Sequence, residues 1–243
     1  MMFGFLKSKS AKMAGNVQKL FLKNSYHEAI ELADNLYCQY IDSEDSQERT
    51  HAKAALTWKT TSLIMLEEYQ DAISVCEKII DIYTHGNLPE DIHDGYNKKI
   101  IRAAYTDKAR ALYGLKEYNK SLKIIDSVVD EGIDCTDELT EVAVIEALLL
   151  KYEIFKETDA NIPDKLTVLN KISFRFQLSD NPKILEQVIP VVKDMMLIFI
   201  ALKDIKNLHI VRRILENISI RSKSEEVQIY LSYIDKFEES FKE

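Results

Sequence analysis

The sequence has little glycine, proline or cysteine: its 243 residues include 6 Gly, 4 Pro and 3 Cys. Because glycine and proline concentrate in turns and interrupt helices, their scarcity favours helices joined by short connections over a sheet-rich fold. The cysteines, Cys38, Cys76 and Cys135, are far apart and form no C-x-x-C pair, so neither a zinc knuckle nor a thioredoxin-type site is expected. We expect buried or partly buried free thiols in a reducing compartment, and therefore a cytoplasmic protein.

Long apolar runs are also lacking. The most apolar stretch is residues 195–202, only eight residues, and Glu186, Lys193 and Asp194 precede it. A membrane-spanning helix needs about 20 predominantly apolar residues, so we expect no transmembrane segment. Nothing at the start of the chain is apolar enough for a signal peptide. The 195–202 stretch instead predicts a fully buried helix.

Catalytic signatures are missing too. The sequence contains no P-loop, no H-E-x-x-H, no glycine-rich phosphate loop and no recognisable nucleophile–base grouping. We therefore expect no enzymatic activity and no cofactor. His85 and His93 flank the acidic residues 90, 91 and 94 and are possible zinc ligands, but their spacing matches no compact motif, so no metal site is predicted. The net charge of −8 argues against nucleic acid as a partner.

An internal repeat is present. Tyr26, Tyr69 and Tyr118 begin the segments YHEAI, YQDAI and YNKSL, each an aromatic, two polar residues, a small residue and an aliphatic. A helical segment ends a few residues before each tyrosine, so the short turn predicts an antiparallel helical hairpin. Apolar stripes with i, i+4, i+7 spacing follow. They consist of Ala29, Ala33 and Leu36, then Ala72, Cys76 and Ile79, then Ser121, Ile125 and Val128. The small residues Ala29, Ala72 and Ser121 predict tight packing of the two helices.

This pattern resembles the second half of a tetratricopeptide repeat over residues 11–130. The resemblance implies an all-α, right-handed solenoid of antiparallel helical hairpins with about 10–11 helices. The sequence departs from the family in two ways. The tyrosines are 43 and 49 residues apart, against about 34 in the family. The family's Trp-Leu-Gly positions hold Met13, Asn16 and Val17, then Leu56, Lys59 and Thr60, then Tyr105, Lys108 and Ala109.

The periodicity divides the chain into three parts. We expect a flexible basic N-terminus over residues 1–10 and three tetratricopeptide-like hairpins over 11–132. Over 133–243 we expect further hairpins of the same solenoid and a C-terminal capping helix. Pro163 suits the first turn of a helix, whereas Pro190 lies inside a helical pattern and predicts a kink or a split.

In the resembled family, the first helices of successive repeats line a concave binding face. The tyrosine register carries this role over to Gln18, Phe21 and Leu22, to Thr57, Thr61, Ile64 and Met65, and to Thr106, Arg110 and Tyr113. The resemblance thus implies a scaffold or adaptor for a protein or peptide, with Arg110 and Tyr113 as anchors. The alternative is that the apolar members of the set pack inside the stack. The family's clamp for acidic chaperone tails needs Lys and Asn, and neither stands at the matching positions here.

Three other interpretations remain open. One is a regulatory or immunity-type protein that sequesters an enzyme or toxin through the acidic loops at residues 42–48 and 90–94. A second is a nucleic-acid binder that uses the basic region at residues 203–223. The third is peripheral membrane contact through the N-terminal lysines and Phe3 and Phe5, against the simpler alternative of a solvated helix start. The sequence does not indicate an oligomeric state.

Overall fold

In the computed structural model, residues 8–85 and 94–240 are described, without the side chains of 94–96. These residues form eleven helices and no strand, which confirms the all-α class. The helices are α1 (Lys9–Leu22), α2 (Tyr26–Tyr40), α3 (Ser46–Met65), α4 (Tyr69–His85), α5 (Asp94–Gly114), α6 (Tyr118–Gly132), α7 (Glu138–Glu157), α8 (Ile162–Phe176), α9 (Pro182–Ala201), α10 (Ile205–Arg221) and α11 (Glu225–Glu239).

The chain divides into two compact units, Met1–Val128 and Val129–Glu243. In the first unit, α1 to α5 each contact the next helix along the chain, and α3 also contacts both α1 and α5. In the second unit, α7 to α11 likewise contact their neighbours in sequence, and α9 also contacts α11. Within the described residues, the main contacts between alternate helices are therefore α1–α3 and α3–α5 in the first unit and α9–α11 in the second.

One turn recurs in five of the helix connections. It contains a non-glycine residue with φ between 51° and 61°, in the left-handed region: Asn24, Glu67, Lys116, Asp159 and Lys203. In each case the next backbone N–H donates to the carbonyl five residues earlier, for example Glu68 to Leu63 at 2.9 Å and Asp204 to Phe199 at 2.9 Å. This is the Schellman arrangement, which ends a helix and satisfies its last carbonyls. It joins α1 to α2, α3 to α4, α5 to α6, α7 to α8 and α9 to α10.

The predicted burial of the small and stripe residues on α2, α4 and α6 is confirmed. Ala29, Ala72 and Ser121 are completely buried, and the Ser121 hydroxyl donates to the Ala109 carbonyl of α5 at 2.8 Å. The remaining stripe residues on α2, α4 and α6 are buried as well. On the facing first helices, the positions expected to be small or modest in size, Val17, Thr60 and Ala109, are also completely buried. Small or compact residues on both sides allow the two helix backbones to approach closely.

Two ion pairs connect consecutive hairpins of the first unit. The Lys59 ammonium on α3 lies 2.6 Å from an Asp34 carboxylate oxygen on α2. The Lys108 ammonium on α5 lies 2.7 Å from a Glu77 oxygen on α4. Both acids lie ten residues after the left-handed residue of their own hairpin, and both lysines lie eight residues before the next one. The two pairs are therefore equivalent features of the repeat.

In the second unit the tyrosine pattern is absent, but four helices begin at recognisable N-terminal capping residues. Side chains cap the N-termini of α7, α8, α9 and α10 by accepting hydrogen bonds from backbone N–H groups in the first turn. These caps are Asp137, Asn161, Asn181 and Asp204. The hydrogen bonds that Asp204 accepts from Asn207 lower the pKa of its carboxyl. Pro163 lies in the first turn of α8, as predicted.

One prediction for α9 is wrong, and of the two alternatives for Pro190 the split is excluded while the kink stays a prediction. Pro190 does not split the helix, which continues from Pro182 to Ala201. The proline is on the exposed side, where the carbonyl that loses its partner can bind water. The 195–202 stretch is not fully buried: Met195, Met196 and Phe199 are inside, but Leu197 is 49% exposed and Leu202 is also exposed. α9 thus buries one face and presents apolar residues on another. No helix of the described residues is both long and apolar enough to cross a membrane.

Candidate functional site

On α1, the predicted binding residues are partly accessible. Gln18 and Leu22 are exposed, and Leu22 keeps 69% of its surface. Phe21 is half-buried, with its ring centroid 5.1 Å from Trp58 on α3 and 5.6 Å from Tyr26 on α2. Phe21 therefore serves first as a packing residue that joins α1 to α2 and α3.

The α3 residues show a similar mixture. Thr57 and Met65 are exposed, with 53% of Met65 accessible, while Thr61 and Ile64 are half-buried. The Thr61 hydroxyl donates to the Thr57 carbonyl at 3.0 Å. Met65 and Leu22 lie two residues before the left-handed residues Glu67 and Asn24, so the repeat places an exposed apolar side chain at the same position twice.

The α5 residues are less suited to binding than the sequence predicted. Thr106 is only 2% exposed, and its hydroxyl donates to the Arg102 carbonyl, so it offers no surface to a partner. Arg110 is half-buried and pairs with Asp107 at 2.7 Å. The Tyr113 ring packs 6.0 Å from Tyr118. Arg110 and Tyr113, chosen as anchors from the sequence, are thus engaged in contacts within the first unit.

The second unit contains a groove that the sequence analysis did not identify. It lies between α9 and α11 and has a volume of about 570 Å³, within the usual range of ligand sites. Met196, Leu197 and Ile200 line it from α9. We call it the α9–α11 groove. Lys193 completes the α9 side. The opposite wall consists of four α11 residues and the residue that follows this helix: Tyr230, Tyr233, Lys236, Phe237 and Ser240.

The recurring turn relates this groove to the predicted face. Lys193, Leu197 and Ile200 lie ten, six and three residues before the left-handed Lys203. Thr57, Thr61 and Ile64 have the same spacing before Glu67. Three of the four α9 residues that line the groove therefore occupy the repeat positions predicted to bind on α1, α3 and α5. The fourth, Met196, is at the position of the buried Thr60. The α9 segment has no tyrosine pattern from which to read the register. The left-handed residue Lys203 marks this register, but it is not a glycine and so cannot be recognised as a turn residue from the sequence.

The lysines of the groove have no acidic partner within the described part of the chain. Lys193 and Lys236 are exposed and stand on opposite walls. The acids beside them in sequence are bound elsewhere: Asp194 accepts a hydrogen bond from the Tyr152 hydroxyl at 2.9 Å, and Asp235 pairs with Arg212 of α10. The groove is consequently apolar along its walls and carries two lysines that are unpaired within the described residues, while the carboxylates of Asp194 and Glu226 lie near Tyr230 on its border.

The hydroxyls of Tyr230 in the groove and of Tyr152 on α7 have raised pKa values and remain protonated. Burial raises the pKa of Tyr230, and the nearby carboxylates of Glu226 and Asp194 raise it further. Burial likewise raises the pKa of Tyr152, and its hydrogen bond to Asp194 adds to the shift. Tyr230 thus brings an apolar ring and a neutral hydroxyl to the groove.

The basic region at residues 203–223 is only partly paired with acids of the second unit. Within the described residues, four of its exposed side chains form no ion pair: Lys203, Lys206, Arg213 and Lys223. Arg212 pairs with Asp235 and with Glu238 at 3.0 Å, and His209 lies 3.2 Å from Glu238. Arg221 is 3.7 Å from Asp180. Pairing with acids weakens the attraction of Arg212 and Arg221 for a phosphate backbone, but four other cations of the region stay accessible, so nucleic-acid binding stays a prediction.

The first acidic loop also has local roles. Glu48 accepts a hydrogen bond from Ser43 at 2.7 Å, and Asp45 caps α3 by accepting from the Gln47 N–H at 2.8 Å. Residues 90–93 of the second loop lie outside the described residues, as do His93 and the N-terminal residues 1–7 with Phe3 and Phe5. Sequestration through the acidic loops and membrane contact therefore stay predictions.

No metal centre forms in the described residues. His85 lies 3.2 Å from Asp81 on the same helix, an exposed pair one helical turn apart. No group of three or more His, Cys, Asp or Glu side chains is arranged to hold an ion within residues 8–85 and 94–240. Cys38 is exposed, contrary to the expectation of buried thiols, whereas Cys76 is buried and Cys135 is half-buried.

No protein-family model matches the sequence, and neither a curated protein nor a solved structure matches it.

Proposed function

We propose that this chain is a non-enzymatic scaffold or adaptor of the tetratricopeptide-like helical-repeat type. It binds a protein or peptide through the exposed side chains of the first helices of its hairpins. The observation that carries this proposal is the α9–α11 groove, because three of the four residues of its α9 wall occupy the same repeat positions as the predicted binding face. The five equivalent turns and the contacts between alternate helices support the repeat architecture.

The groove is a better candidate than the α5 residues because its apolar side chains remain accessible. Leu197 is 49% exposed and Tyr233 is 55% exposed. Aromatic and aliphatic side chains in a concave surface are typical anchors of protein interfaces. On the first unit, Leu22 and Met65 are accessible apolar residues of α1 and α3, although at a different repeat position from Leu197. They replace Arg110 and Tyr113 as the side chains to test.

Affinity capture with matched variants tests the proposal. The full chain, immobilised, is exposed to a lysate of its source and compared with Leu197→Glu/Tyr233→Glu and with Leu22→Glu/Met65→Glu. The control is Ile220→Glu, which alters an exposed apolar residue of α10 outside the groove. We expect the control to retain a captured protein that at least one double variant loses, because a buried carboxylate in an apolar interface is costly. Equal capture by all four chains would refute the proposal.

A further inference from the structure

The shape of the α9–α11 groove selects among peptide conformations. Its walls are the side chains of two helices, whose backbone groups are already hydrogen-bonded internally. An extended peptide in the groove would bury backbone N–H and C=O groups against apolar walls without partners, which costs free energy. A helical peptide satisfies its own backbone and can insert a ridge of side chains between α9 and α11. The groove therefore favours a helix.

The extent of the walls sets the length of that helix. The lining residues extend from Lys193 to Ile200 on α9 and from Tyr230 on α11 to Ser240, the residue that follows this helix. At about 1.5 Å rise per residue these walls are roughly 10 and 15 Å long. Two to three helical turns cover that length, with apolar residues at i, i+3 or i+4, and i+7 facing the groove.

The charges of the groove select the residues that flank the apolar stripe. Lys193 and Lys236 stand on opposite walls, and within the described residues neither has an ion-pair partner. Asp235, next to Lys236, is neutralised by Arg212. Asp194, next to Lys193, accepts a hydrogen bond from Tyr152 and keeps its charge. Acidic side chains on both sides of a bound helix would meet these two lysines, whereas basic ones would be repelled.

We propose that the α9–α11 groove binds an amphipathic helix of a partner protein, two to three turns long, whose apolar stripe is flanked on both sides by Asp or Glu. This inference rests on the proposed function and adds the chemistry of the partner. The chain has a net charge of −8, so most of its surface repels an acidic helix. The two lysines oppose this repulsion at the groove, and an acidic helix therefore binds there in preference to other parts of the surface.

A displayed peptide library tests the partner chemistry directly. Helical peptides of about 14 residues carry a fixed leucine stripe, and each flanking position encodes either Glu or Lys. The full chain is the target. Leu197→Glu/Tyr233→Glu serves for counter-selection, so that only groove-dependent binders are counted. We expect Glu to exceed Lys at the flanking positions by about fivefold, as two exposed ion pairs imply.

Charge reversal provides the matched comparison. Lys193→Glu/Lys236→Glu should reverse the preference to Lys, while Lys171→Glu/Lys183→Glu, which changes two exposed lysines outside the groove, should leave it at Glu. No selected helices, no charge preference, or a preference that Lys193→Glu/Lys236→Glu does not reverse would each overturn the inference. The proposed function has its own test: it is refuted when Leu197→Glu/Tyr233→Glu and Leu22→Glu/Met65→Glu capture the same proteins from the lysate as Ile220→Glu.

Discussion

The ring of Tyr69 lies against Gly114. An ideal Cβ at position 114 would be 2.3 Å from Tyr69 Cζ, far inside van der Waals contact. Tyr69 begins α4 and Gly114 ends α5, so the start of one hairpin's second helix meets the end of the next hairpin's first helix. The glycine is required here by close approach and not by a left-handed backbone.

Gly114→Ala should therefore lower the free energy of unfolding by about 1–2 kcal/mol, because the added methyl group displaces the Tyr69 ring. In a Tyr69→Ala background the same change should be neutral, or stabilising by up to about 1 kcal/mol, since alanine is the better helix former. Urea unfolding of the four chains measures the coupling. Equal effects of Gly114→Ala in both backgrounds would show that the ring does not limit the packing.

The ion pairs between hairpins should contribute equally. A double-mutant cycle on Asp34→Asn and Lys59→Met should give a coupling of about 0.5–1 kcal/mol, and the cycle on Glu77→Gln and Lys108→Met a similar value. Both couplings should decrease between about 0.01 M and about 1 M salt, since screening shortens the range of the attraction. If one coupling is near zero at low salt while the other is not, or if the two have opposite signs, the pairs are not equivalent.

The left-handed turn residues should be sites of easy stabilisation. Glu67 has φ 61°, a conformation that costs a residue with a Cβ about 1–2 kcal/mol. Glu67→Gly removes this strain but adds chain entropy to the unfolded state, so we expect a net gain of up to about 1 kcal/mol. The matched control is Glu31→Gly, at an exposed position inside α2, which should lower the free energy of unfolding by about 1 kcal/mol. Thermal unfolding compares them, and a loss of stability in both would argue against a strained turn.

The cysteines should differ sharply in reactivity. Cys38 is exposed, whereas burial raises the pKa of the Cys76 thiol and the nearby Asp107 carboxylate raises it further. Cys76 therefore stays a protected, protonated thiol, which is a poor nucleophile. Labelling the folded protein with iodoacetamide and locating the label by mass spectrometry should modify Cys38 first and Cys76 only after unfolding. Early modification of Cys76 would mean that the α3–α4 hairpin opens readily.

Much of the first unit could be predicted from the sequence because its cues are local. Tyr26, Tyr69 and Tyr118 mark the hairpins, and the small residues Ala29, Ala72 and Ser121 are buried as expected. Lys59 and Lys108 appeared only as departures from the family pattern. Their partners lie 25 and 31 residues away along the chain, so no local pattern reveals the pairs.

The groove escaped prediction for a related reason. The turn between α9 and α10 is marked by Lys203, a residue type that rarely adopts a left-handed conformation and so gives no turn signal. The apolar run around Leu197 looked fully buried, since composition alone does not show that α11 covers only part of α9. Thr57 and Thr106 occupy equivalent repeat positions, yet Thr57 is exposed and Thr106 is buried. This difference likewise depends on tertiary packing.

Photo-crosslinking from inside the groove tests the central claim most directly. The full chain carries p-benzoylphenylalanine in place of Tyr233, or in place of Ile220 as the control, and is irradiated in the presence of source lysate. A partner protein should crosslink at position 233 but not at 220, and Leu197→Glu should suppress the crosslink. The same products at both positions, or no partner at position 233, would contradict binding in the α9–α11 groove.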